Sequence, residues 1–173
     1  LTMLDYGGAG ILGRFRSEPR TVYKRLTLTG NNNTSSQNIF TLTGSILVTA
    51  TMGEVITSPV NHTGGLLRLN DSATTVDITA SGQTLSGLAA GSTFYKYTSI
   101  ATALGAQTNA NGVASNIGGA LSDFFYPVAL FKKTAATTTV EYRYATTETP
   151  TVGVLDFYLT WIPISGDGNL VAV

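Results

Sequence analysis

Every even-numbered position from Phe40 to Met52 is apolar or glycine: Phe40, Leu42, Gly44, Ile46, Val48, Ala50 and Met52. Between them stand Thr41, Thr43, Ser45, Leu47, Thr49 and Thr51. Side chains on a β-strand alternate between two faces, so this run makes one apolar face and one threonine face. A helix would scatter the same residues around its circumference. The pattern predicts an antiparallel sheet, packed on one side and wet on the other.

Weaker copies of the signal follow. Val22, Lys24, Leu26 and Leu28 share one face of a first strand, and Gly30–Ser36 make a polar loop. Short strands are expected at Leu66–Leu69, at Val76, Ile78 and Ala80, and at Phe94–Tyr97. Residues 101–122, rich in Ala, Gly and Asn, read as a long loop or a short helical excursion. Phe124–Phe131 is apolar throughout, as for a strand buried on both faces, with Pro127 marking an edge or bulge. Val140, Tyr142 and Tyr144 alternate with Glu141 and Arg143 in a half-exposed strand. Leu155, Phe157, Leu159 and Trp161 share a face of a last long strand, opposite Asp156, Tyr158 and Thr160. Ser165–Asn169 reads as a hairpin turn. Seven or eight strands without a helix predict an all-β, antiparallel two-sheet sandwich, jelly-roll-like or Ig-like, over residues 21–173. Phe40, Leu42, Ile46, Val48, Leu155, Phe157, Leu159 and Trp161 are its expected core.

Composition narrows the function classes. There is no cysteine, which removes disulfides, zinc-thiolate sites and thiol nucleophiles. No stretch approaches the length of apolar chain that a membrane helix needs, and no basic-then-apolar signal pattern opens the sequence. About one residue in six is threonine, charged residues are 12% and the net charge is zero. Such a surface does little to keep copies apart, which suits a subunit made to be covered in a homo-oligomer or lattice.

The motifs for chemistry are thin. Gly8–Gly13 spells G-x-G-x-x-G, but no strand precedes it and Pro19 follows closely, so it reads as a glycine-rich arm. His62, the single histidine, sits in a turn-like stretch with no nucleophile elbow and is expected to be a plain loop residue. The ten acids are dispersed, and Asp167–Gly168–Asn169 lacks the further ligands of a calcium loop. No catalytic residue, cofactor or metal site is expected, and the chain is read as non-enzymatic.

One asymmetry does point to partners. Arg14, Arg16, Arg20, Lys24 and Arg25 hold half of the ten cations, while residues beyond 25 carry five cations against eight acids. Residues 1–20 contain Gly7, Gly8, Gly10 and Gly13 and cannot build a core. Yet they also carry apolar residues without a period. The arm is therefore expected to order on another chain, with Leu4, Tyr6, Ile11, Leu12, Arg14, Phe15, Arg16 and Arg20 making the contact. Five charges with little aromatic interleaving provide no specific nucleic-acid site.

The stretches Val22–Gly30, Phe40–Val48 and Leu155–Ser165 resemble, in style and order, small β-sandwich virion proteins of tailed bacteriophages. That class includes capsid decoration, or cement, proteins. The likeness spans roughly residues 21–173, and the arm departs from it. It implies a structural subunit on the outer capsid surface, often a trimer, bound to the major capsid protein or another virion protein. It transfers no functional residue. The rival reading is an adhesive or carbohydrate-binding module of a head or tail fibre, with Tyr95, Tyr97, Tyr142, Tyr144 and Tyr158 as its only candidate stacking platforms.

Overall fold

The computed structural model describes residues 18–29, 34–96, 101–107, 127–132, 137–146 and 152–173. Among these the chain forms eleven strands: β1 Arg20–Thr27, β2 Thr34–Thr43, β3 Ser45–Val60, β4 His62–Asn70, β5 Thr75–Asp77, β6 Thr93–Tyr95, β7 Gly105–Gln107, β8 Val128–Phe131, β9 Thr138–Thr146, β10 Val152–Pro163 and β11 Asn169–Ala172. One sheet runs β1-β10-β3-β6-β7, with β8 also on β3; the other runs β11-β2-β9-β4-β5.

The pairing is nested. β1 pairs with β10, β2 with β9, β3 with β8 and β4 with β5, all antiparallel. Eight strands thus form one long ribbon, its first half lying against its second half in reverse. Wrapping that ribbon sets β10 beside β3 and β9 beside β4, which completes the two sheets. This is the jelly roll, one of the two sandwich forms expected, and not the Ig order.

The Phe40–Met52 run is two strands rather than one. Gly44 breaks it with a left-handed φ of 58°, and the chain steps from one sheet to the facing sheet. The apolar side looks inward before and after the step, so Phe40, Leu42, Ile46 and Val48 are all buried. A Cβ on Gly44 would stand 2.3 Å from Asp167 Oδ1 and 2.4 Å from Ser165 Oγ, so the corner has no room for a side chain. Ser165 Oγ accepts the Ser45 N–H at 2.7 Å and donates to Asp167 at 2.6 Å. The Ser165–Asn169 turn is accordingly no hairpin; it carries the chain from β10 in one sheet to β11 in the other.

A second departure lies at Thr49. Thr160 faces Ala50 and Trp161 faces Val48, leaving Thr49 as the extra residue of a β-bulge. The bulge reverses the alternation, so Thr51 and Val55 turn inward and Met52 turns out, 46% exposed. The expected core otherwise holds: Leu155, Phe157, Leu159 and Trp161 are each at most 2% exposed. The Phe157 ring meets Phe94 edge-on at 5.2 Å and Tyr142 at 5.0 Å. Phe94 can lie there because Gly53, beneath it, carries no Cβ.

Two strand expectations need correction. β8 is not buried on both faces: Leu130 is buried but Phe131 is 50% exposed, because β8 is an edge strand paired only with β3 among the described residues. β9 is not half-exposed. Tyr142 and Tyr144 are fully buried, and Glu141 on the opposite face is covered by Arg68, whose Nε donates to it at 2.9 Å.

Candidate functional site

Of the arm residues expected to touch a partner, Leu4, Tyr6, Ile11, Leu12, Arg14, Phe15 and Arg16 lie outside the described residues. Arg20 opens β1, and its guanidinium stands 5.4 Å from the centroid of the Trp161 ring. The next two cations are also engaged within the domain. Lys24 donates to the backbone oxygen of Val173, and Arg25 grips Asp156 through two bonds of 2.8 Å. The basic cluster of the sequence is therefore partly used up in joining β1 to β10 and to the C-terminal residue.

His62 is not the loop residue expected. It begins β4 with no exposed surface, stacked against the rings of Tyr142 and Tyr144 at 5.7 and 5.3 Å. The Leu85 amide, which can only donate, points at Nδ1 from 3.4 Å. Nδ1 therefore accepts, and Nε2 carries the proton toward the Tyr142 hydroxyl at 2.8 Å. Burial pushes the His62 pKa down to about 4, because a charged imidazolium would be stranded among aromatic rings. Gly65 makes room for the Tyr142 hydroxyl, which would lie 2.3 Å from a Cβ there. This is a structural cluster: the His62 nitrogens face the Leu85 amide and the Tyr142 hydroxyl, and the Tyr144 hydroxyl is held by Thr29 and Gln37.

The outer face of the six-stranded sheet is different in kind. The register aligns Tyr23 with Tyr158, Tyr158 with Met52 and Met52 with Tyr95, a single row crossing four strands. The neighbouring row is Arg25, Asp156, Glu54 and Thr93. Asp156 is 2% exposed beneath Arg25 and Tyr23, and the Tyr23 hydroxyl donates to it at 3.2 Å. Arg25 holds the Asp156 carboxyl below its ordinary range. Tyr23 and Tyr158 lie 5.2 Å apart, tilted by 35°. The row exists only because the Thr49 bulge turns Met52 outward, which alternation from Phe40 could not reveal.

Of the tyrosines expected as platforms, Tyr142 and Tyr144 are buried in the core and can stack on nothing outside. Tyr95 and Tyr158 remain on the outer row, and Tyr97 lies outside the described residues. Tyr23, not singled out in the sequence, joins them.

A third feature is the cleft where the edges of the two sheets face each other. Leu69, Val76 and Ile78 line one side and Val128, Leu130 and Phe131 the other, around about 240 Å³. Val76 is 59% exposed at its rim. By contrast, a cavity of about 10 Å³ beside Lys96 has room for a water molecule at most. Among the described residues no group of three or more His, Asp or Glu stands close enough to hold a metal ion, and no helix is long and apolar enough to cross a membrane. Compared with known proteins, the chain matches no family model, no curated protein and no solved structure.

Proposed function

We propose that the chain is a non-enzymatic structural subunit of a phage virion, a decoration protein bound to the outer surface of the shell. Jelly rolls serve capsid subunits, lectins and enzymes alike, so the fold is compatible with this role without selecting it. The observation that carries the reading is the cleft between β5 and β8. Two short edge strands there expose Val76 and Phe131 over a mostly apolar floor whose single charged lining residue is Asp77, on a chain with 12% charged residues. Exposed edges and apolar rims are surfaces that soluble monomers normally blunt with charge. A lattice of neighbouring subunits covers them instead. In this reading the major capsid protein, or another virion protein, occupies the cleft, the arm residues Leu4 to Arg16 clamp a neighbouring chain, and the subunit assembles as a trimer.

The test is co-sedimentation of the purified chain with shells of its own phage that lack it. Phe131→Asp and Val76→Asp should each abolish attachment while the far-UV spectrum stays unchanged. Deleting residues 1–18 should leave the sandwich folded but weaken attachment, with the largest difference from the full chain at low salt, where the arm's cations are least screened. Light scattering should report a trimer at micromolar concentration. Attachment unaffected by both cleft substitutions, or a chain that never sediments with the shell, would rule the proposal out.

A further inference from the structure

We infer that the outer face of the six-stranded sheet binds a neutral glycan, with Tyr23, Tyr158 and Tyr95 as the stacking rings. The inference is independent of the virion role, since a shell-bound, fibre-borne or free protein can use this face equally.

Three features of the face specify the ligand. The first is the spacing of the rings. Adjacent strands lie roughly 4.8 Å apart, so the Cα atoms of Tyr158 and Tyr95, separated by the β3 strand that carries Met52, stand roughly 10 Å apart across the sheet. That suits an extended chain lying across the strands. The second is the mixture of chemistry. A sugar ring has an apolar face of C–H bonds and a rim of hydroxyls, and needs an aromatic plane beside fixed polar groups. Here the tyrosine row runs alongside Arg25, Asp156, Glu54 and Thr93. Thr21 and Thr160, bonded to each other at 3.0 Å, border the other side. Part of the polar set is held in place before any ligand arrives, because Arg25 grips Asp156 at 2.8 Å and Asp156 accepts from Tyr23.

The third is charge. Arg25 cancels Asp156, leaving only Glu54 in the two rows, so the face has no cationic surplus for nucleic acid or an acidic glycan. Within these rows Met52 is the sole aliphatic side chain, so aromatic and polar groups make up most of what a ligand would meet. An uncharged, polyhydroxylated ligand fits both facts.

The experiment is electrophoresis of the full chain through native gels containing hydroxyethylcellulose, dextran, mannan or soluble starch. Retardation by at least one of these is expected, with calorimetry against the matching hexasaccharide giving the affinity. Tyr158→Ala and Met52→Arg should each weaken binding by roughly tenfold or more, whereas Tyr158→Phe should retain it. Phe131→Ser, in the distant cleft, should change nothing. Met52→Arg alters an exposed side chain and leaves every ring in place, so it remains decisive even if Tyr158→Ala is poorly folded. Retardation by none of the four polysaccharides, or binding unchanged in Met52→Arg, would overturn the inference. So would light scattering that shows two copies pairing through this face and separated by Met52→Arg.

Discussion

Two tyrosine pairs in this molecule share residue type and strand context but have opposite surroundings. Tyr142 and Tyr144 stand on β9 with no exposed surface, closed around His62. Tyr23 and Tyr158 stand on β1 and β10, with Tyr23 44% exposed and its hydroxyl turned to a carboxylate. The inner pair has uncharged partners and a buried ring to stack on; the outer pair has an ion pair beside it. A tyrosine can serve as a large apolar wedge or as an amphipathic platform, and its neighbours across the sheet decide which.

The sharpest way to break this contrast is at adjacent positions of β10, where Phe157 points inward and Tyr158 outward. Phe157→Ala should cost about 3–5 kcal/mol, because the Phe94 and Tyr142 rings would face a cavity that the sandwich cannot close. Tyr158→Ala should cost about 1 kcal/mol or less, since only cross-strand packing is lost. Urea denaturation of the two variants measures both. Comparable costs would mean that the two faces are not distinct in the way described.

Acid separates the clusters next. His62 has a folded pKa of about 4 against an ordinary 6.5. The unfolded chain therefore binds the proton first, and stability falls as pH drops from 6.5 to 4, then levels off. The full loss is about 3 kcal/mol. Protonation also sets an Nδ1–H against the Leu85 N–H, a donor facing a donor. His62→Gln should flatten the stability profile in that window whatever its effect at pH 7. A profile already flat in the native protein would show the imidazole to be solvated. Tyr142→Phe, which removes the hydroxyl facing His62 Nε2, should cost about 1–2 kcal/mol by thermal denaturation at pH 7.

Alternation carried most of the core because it survives a change of sheet. Phe40 and Leu42 pack from one sheet and Ile46 and Val48 from the other, yet the sequence shows one unbroken rhythm. The corner at Gly44 was hidden for that reason. Its steric need is set by Ser165 and Asp167, more than a hundred residues away. The bulge at Thr49 was hidden too, since an extra residue on β3 opposite the step from Thr160 to Trp161 is a property of the pairing and not of either strand. The alternation therefore set Met52 on the apolar face, and the outer row went unseen. His62 read as a loop residue because Pro59, Asn61 and Gly64 surround it in sequence. Its actual neighbours, Tyr142 and Tyr144, come from a strand that the jelly-roll wrap brings alongside. What sequence could have offered is only that Asn61 takes a left-handed φ of 57°, which ends the turn at once and lets β4 start at His62.

The smallest expected effect tests whether the outer cluster behaves as an electrostatic unit. Tyr23 donates to Asp156 at 3.2 Å, a secondary partner beside the two shorter bonds from Arg25. Arg25 first, with Tyr23 after it, lowers the Asp156 pKa in the folded state. A depressed carboxylate contributes stability that is present above its unfolded pKa, near 3.8, and is lost as pH falls through the folded value. Tyr23→Phe removes one of the supporting bonds while keeping the ring. Because Tyr23 is 44% exposed, water replaces much of what is lost, and the cost at pH 7 should be the smallest of the stability costs predicted. That difference should shrink below pH 3.8 as Asp156 takes up its proton, and it should be constant between pH 6.5 and 4, where His62 titrates. Chemical denaturation of the native chain and Tyr23→Phe across this range provides the comparison. A Tyr23→Phe penalty that instead grows between pH 6.5 and 4 would mean that the outer cluster is coupled to His62 through the sheet, and that the two faces do not respond to acid independently.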